Sequence, residues 1–130
     1  MKKRIVSFLL ILVIVCAPVF VITGCSGDEK EVYVEYIPGD VFTVNVHESN
    51  RILKCGIVLV LNKEGLEDML DANRTRIRDR IIFILRDLNE DDVRRTGTQD
   101  DLRERIIEEL NEMLDIENIV EVIFNDYVMG

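Results

Sequence analysis

Residues 51–61 read RILKCGIVLVL, and the fold is decided by how this stretch is placed. In an extended chain Leu53, Cys55, Ile57, Leu59 and Leu61 share one face, which is wholly apolar. Val58 and Val60 make the second half of the other face apolar as well. A strand apolar on both faces lies centrally in a sheet or is covered on both sides. Residues 51–61 are therefore expected to form the central strand of the core.

Upstream, 41–47 alternates in the same way. Phe42, Val44 and Val46 point one way, and Thr43, Asn45 and His47 the other. Glu48-Ser49-Asn50 is turn chemistry, and so short a loop predicts an antiparallel hairpin. Residues 31–37 (EVYVEYI) alternate briefly before Pro38-Gly39 ends them, and read as a connector or an edge strand.

Downstream, the period changes from two to three and four. Leu66, Met69, Leu70, Ile77, Ile81, Ile84, Leu85 and Leu88 form one helical stripe, with Asn62 as the expected cap and Glu64 in the first turn. Arg74, Arg76, Arg78 and Arg80 then spread over the solvent side of that helix. They are the only basic concentration in an acidic domain, and so a possible partner-facing cluster as well as an ordinary solvated face. Residues 89–97 are a polar break with room for one helical turn. Thr98 is expected to cap a second helix through the N–H of Asp101, with Leu102, Ile106, Leu110 and Leu114 buried. Residues 119–128 (IVEVIFNDYV) read as a closing strand with Val120, Val122, Phe124 and Val128 on one phase. A connection this long allows the closing strand to return parallel. The expected fold class is α+β, a small mixed sheet of order β-β-α-α-β with two helices on one face.

In front of this domain, residues 5–23 (IVSFLLILVIVCAPVFVIT) carry no charge and follow Lys2-Lys3-Arg4. As a helix they span about 28 Å, close to the bilayer core. The leading cations keep the N-terminus cytoplasmic, so an uncleaved anchor puts the rest outside the cytoplasm. Ile22-Thr23-Gly24-Cys25 also fits the bacterial lipobox, which makes Cys25 a lipidation candidate and the segment a cleavable signal. Cys16 has Val15 where a small residue is needed. The expected division is 1–25 anchor or lipoprotein signal, 26–40 tether and connector, and 41–130 extracytoplasmic domain.

Residues 26–130 hold all 25 acidic residues and 13 of the 16 basic ones, a net charge of −12. That charge repels nucleic acid and anionic headgroups. Cys55 lies in an apolar strand and reads as a buried hydrophobe. His47, the single histidine, faces away from the core. Glu90-Asp91-Asp92 and Asp100-Asp101 lack the ligand spacing of a calcium loop and suit helix N-termini instead. There is no nucleophile elbow, phosphate-cradling Gly loop or HExxH. No cofactor, metal site or catalysis is expected.

Several ordered patterns together resemble a known family. Residues 42–45 fit F-x-V-N, and residues 77–81 fit I-R-D-x-I. Residues 102–106 fit L-R-x-x-I with Leu110-Asn111 following, and residues 122–128 fit V-x-F-x-x-F/Y-V. The set is similar to FliL, the flagellar basal-body-associated proteins. The matching positions Asn45, Arg78, Asp79, Asn111, Phe124 and Tyr127 read as fold or packing residues. The resemblance implies a membrane-anchored, non-catalytic protein with a stomatin-like outer domain. It implies rings of copies around stator units of the MotA/MotB type, with effects on torque, swarming and rotation in chemotaxis. The lipobox and short tether depart from the family and leave open a lipoprotein adaptor of a non-flagellar envelope complex.

Overall fold

A computed structural model describes residues 30–130. The strands are β1 (Val34–Tyr36), β2 (Phe42–Asn45), β3 (Ile52–Leu61) and β4 (Ile119–Met129). The helices between β3 and β4 are α1 (Glu67–Ala72), α2 (Arg74–Arg86), α3 (Glu90–Arg94) and α4 (Thr98–Leu114). Residues 5–23 and Cys25 lie outside the described residues. Among the described residues no helix is long and apolar enough to cross a membrane.

β3 is central, as its two apolar faces require. β4 runs along one edge, from Leu53 opposite Met129 to Leu61 opposite Ile119. β1 and β2 share the other edge, pairing with Leu59–Leu61 and Ile52–Cys55 respectively. The two behave as one strand broken at Pro38-Gly39. At the break Gly39 has φ +144°, and a Cβ there would collide with the Arg78 guanidinium. The short β1 thus draws part of the expected 26–40 connector into the sheet.

The expected mixed sheet is not formed: β4 is antiparallel to β3, as β1 and β2 are. A single helix between strands returns the chain to its starting end and favours a parallel partner. Here α2 and α4 are two antiparallel traversals, linked by ion pairs from Arg80 to Glu109 and from Arg105 to Asp87 at 3.1 Å each. They bring the chain back to the end of β3 that it left, where the Asn62 N–H donates to the Asn118 carbonyl at 3.0 Å. The element order is therefore β-β-β-α-α-α-α-β.

Local details also differ from expectation. Asn62 caps nothing: its side-chain oxygen accepts from Asn118, and the helix begins at Glu67 after Leu66. The long helical stripe breaks at Asn73, whose N–H and side-chain amide both turn back to the Met69 carbonyl. Thr98 is not the cap of α4. Gly97, at φ +95°, takes that position, and the buried Thr98 hydroxyl donates to the Asp92 carbonyl at 2.6 Å. A full capping box forms instead at Asn89 and Asp92, opening the short α3.

β4 also changes phase. Extra residues at Val120 and Asn125 make two bulges against β3, so its inward set is Ile119, Val122, Phe124, Tyr127 and Met129. These join Tyr36, Phe42, Val44 and the odd residues of β3 against Ile77, Ile81, Ile84, Leu85, Leu102, Ile106 and Leu110 from the helices. Asn111 fastens the layers: its amide donates to the Ile119 carbonyl at 2.9 Å and its oxygen accepts from the Ile119 N–H at 3.1 Å.

Two substitutions separate these contributions in chemical denaturation followed by circular dichroism. Ile106→Ala should cost about 2–5 kcal/mol through the cavity it leaves. Asn111→Ala should cost about 2 kcal/mol, because both backbone groups of Ile119 lose their partner.

Candidate interaction surface

The four arginines near the start of α2 meet different surroundings. Arg74 lies 2.5 Å from Asp71 and donates to the Tyr36 hydroxyl at 3.3 Å, while that hydroxyl donates to Asp71 at 2.9 Å. Arg76 donates to the Asn73 side-chain oxygen at 3.1 Å. Arg78 lies over the Phe42 ring, 4.5 Å from its centre, and donates to the Asp40 carbonyl at 3.2 Å. Arg80 pairs with Glu109 on α4. Arg74, Arg76 and Arg80 are exposed and Arg78 is half-buried. Arg78 holds the broken edge strand down onto the helix layer, and Arg74 ties β1 to the α1–α2 junction.

Asn45 is exposed on β2, opposite Ile52. Asp79 is exposed in the middle of α2 and lines a groove with Ile82, Phe83 and Arg86. Phe124 and Tyr127 meet edge to face at 5.7 Å. Arg103, the arginine of the L-R-x-x-I pattern, covers Phe124 at 5.4 Å and donates to the Val122 carbonyl at 3.1 Å. Glu90 stands in the first turn of α3, as expected of a helix N-terminal acid, and Phe83 is the residue that no pattern singled out. Glu90 accepts from Ser49 at 2.5 Å and from Arg94, and lies 3.5 Å from Arg51, tying the β2–β3 turn to α3. Phe83 is 58% exposed on α2. The signal for Phe83 was available, since it is an aromatic residue standing off the apolar stripe.

The titrating groups follow these contacts. The Arg74 and Tyr36 hydrogen bonds hold Asp71 below the usual carboxylate range, Ser49 does the same for Glu90, and Arg105 with Arg80 does so for Glu109. Burial pushes the Cys55 thiol and the Tyr127 hydroxyl each up to about 12. The Tyr127 hydroxyl is buried without a hydrogen-bond partner. His47 is 59% exposed on its side chain, 3.8 Å from Glu48. Among the described residues no group of three or more His, Cys, Asp or Glu side chains could hold a metal ion.

These side chains brace one element against the next within an α+β domain. The family described as flagellar basal body-associated protein FliL matches residues 36–129, from the end of β1 to the end of β4. The chain belongs to that family of structural flagellar components, and its role is basal-body-associated. No curated protein matches the chain.

Two measurements check the site chemistry. A carboxylate with a depressed folded pKa stabilises above its unfolded pKa, and the contribution is lost as pH falls through the folded value. The melting temperature should therefore hold from pH 7 to about 5 and drop below about 4. The deficit of Glu109→Gln should shrink in that same acid window. Cys55 should resist iodoacetamide at pH 8 in the folded protein and label fully in urea, as peptide mapping would read.

Proposed function

We propose that the protein is a non-catalytic scaffold beside the flagellar stator, contacting MotA/MotB-type proteins and the basal body, and that it influences torque, swarming and rotation in chemotaxis. The observation that carries this reading is the family match over nearly the whole described fold. Residues 1–25 anchor it at the cell membrane, 26–40 serve as tether and connector with β1 already paired in the sheet, and the domain stands on the periplasmic side as a homo-oligomer. The exposed arginines among Arg74, Arg76, Arg78 and Arg80 are offered to an acidic partner surface. Arg78, Asn111, Phe124 and Tyr127 keep the domain in shape for that contact, while Asn45 and Asp79 stand on its surface.

A deletion strain tests the role through swarm diameter and the occupancy of fluorescently labelled stators. Both should fall; unchanged values would overturn the reading.

The lipobox favours a second reading, an envelope lipoprotein adaptor of a non-flagellar complex, with Cys25 lipidated and the preceding segment removed. Labelled palmitate should enter the wild type and be lost in Cys25→Ala. Unlabelled protein that retains Met1 would establish the single span, with a cytoplasmic N-terminus.

A further inference from the structure

The two edges of the sheet are not alike. β1 and β2 are three and four residues long, and the helix layer holds the chain on either side of β2: the Asp40 carbonyl accepts from Arg78 at 3.2 Å and the His47 N–H donates to the Leu88 carbonyl at 2.8 Å. β4 runs for 11 residues and pairs with β3 alone. Its backbone groups can be sorted by direction. Ile52 and Gly130 exchange both backbone hydrogen bonds at 2.9 Å, so the pairs Lys54–Val128, Val58–Ile123 and Val60–Glu121, which keep the same alternation along β3, also bond to each other. The backbone groups of Ile119, Val122, Phe124, Tyr127 and Met129 therefore point away from β3, into the open edge.

α4 closes only the first half of that edge. The Asn111 side chain takes both backbone groups of Ile119, and the Arg103 Nε takes the Val122 carbonyl. Both contacts fall on groups that the alternation sends outward. Along the remaining six residues, about 20 Å of extended chain, no hydrogen bond among the described residues reaches the outward groups of Phe124, Tyr127 and Met129. Their side chains are half-buried on the helix side, so an apolar rim follows the open segment. On the other side Asp126 is exposed, and among the described residues it has no cation within ion-pair distance. Of the charges around the segment, Arg103 is paired with Asp100 and Arg95 with Asp101. That leaves Asp126 and Asp92, whose charge is felt at the Tyr127 hydroxyl, against Lys54 opposite Val128. The balance is negative, on a domain that is strongly acidic throughout.

We propose that the open edge from Phe124 to Met129 is a strand-addition site for an extended basic segment of another protein. The segment hydrogen-bonds to the outward groups of Phe124, Tyr127 and Met129, lays apolar side chains along their rim and places cations beside Asp126. Backbone pairing supplies the affinity, and the alternation of apolar and basic residues the selectivity. Arg103 and Asn111 end the site, since a strand continuing past Phe124 meets groups already taken. A second copy is a poor occupant: two β4 edges in antiparallel pairing bring their Asp126 carboxylates onto one face, and like charges across a strand pair destabilise it. The site adds a contact that the scaffold reading lacks and does not rest on that reading.

The test is amide hydrogen exchange of the full-length protein in detergent micelles, read residue by residue by NMR. Alone, the Phe124, Tyr127 and Met129 amides should exchange fast and those of Glu121 and Ile123 slowly. An acetylated octapeptide alternating lysine with valine, at about 1 mM, should slow the three outward amides roughly tenfold, the effect of a site about nine-tenths occupied. Ile119 and Val122 should not change. The same peptide N-methylated throughout cannot form a ladder and should do nothing. A peptide with glutamate in place of lysine should leave the wild type unprotected and should protect Asp126→Lys. Asp126 is exposed, so that variant folds, as slow exchange at Ile123 would verify. No slowing, equal slowing by the lysine and glutamate peptides, or protection that rises with protein concentration in the absence of peptide would overturn the proposal. The two readings fail separately. If deletion impairs swarming while the peptide protects nothing, this site falls and the stator scaffold stands. If deletion leaves swarming unchanged while protection follows the charge swap, the reverse holds.

Discussion

β3 is hydrogen-bonded along both edges while its inner residues are sealed by helices, and every other element takes its place from that arrangement. Neighbouring strands cover its backbone polar groups, which it could not leave bare in a buried position. The pairing of β4 with β3 sets where α4 must end, and Asn111 spans the gap to Ile119 at that point. The other edge tolerates an interruption because Arg78 grips it: the guanidinium lies over Phe42 and binds the Asp40 carbonyl where the strand breaks.

Two kinds of force are divided between two tasks. Each fully buried Leu or Ile stabilises by about 1.5–3 kcal/mol, whereas an exposed ion pair contributes roughly 0.2–1 kcal/mol. The helix layer is therefore held by Ile77, Ile81, Ile84, Leu102, Ile106 and Leu110. The pairs Arg80–Glu109 and Arg105–Asp87 fix how α2 and α4 slide past each other. This division suits a strongly acidic chain. Most of the arginines in the helical region are occupied by local carboxylates, and the few that are not become a specific surface feature.

What could be read from the sequence was whatever depends on near neighbours. The β2–β3 hairpin, the exposure of His47, the burial of Cys55 and the helical stripes all follow from alternation or three-four spacing. The direction of β4 did not follow, because it depends on the number of helical traversals between strands. A break at Asn73 and a new start at Gly97 are invisible to a hydrophobic period. The phase of β4 failed at Val120 and Asn125, where one extra residue reverses the faces without changing the composition. For the arginines, the row on α2 was legible but its partners were not. Tyr36, Asp40 and Glu109 lie 29 to 38 residues away and reach the row only through the fold. The basal-body family was legible nonetheless, because its pattern is an ordered set of such local signals.

The doubly apolar half of β3 has a consequence for a structural component. A sheet with helices on one side alone usually alternates, keeping polar residues outward. Here Val58, Val60 and Ile123 interrupt that alternation between β1 and β4, and at the other end Ile52 and Val128 stand exposed among Lys54, Asn45 and Thr43. The outer face is therefore mixed along its length, with Val58 and Val60 buried in one half among Glu35, Glu121 and Ile123, and Ile52 and Val128 exposed in the other. Burial of Val58 and Val60 stabilises β3 from this side as the helix layer does from the other. These valines lie beside β1, the strand that the Tyr36 hydroxyl ties to the helix layer by donating to Asp71 and accepting from Arg74.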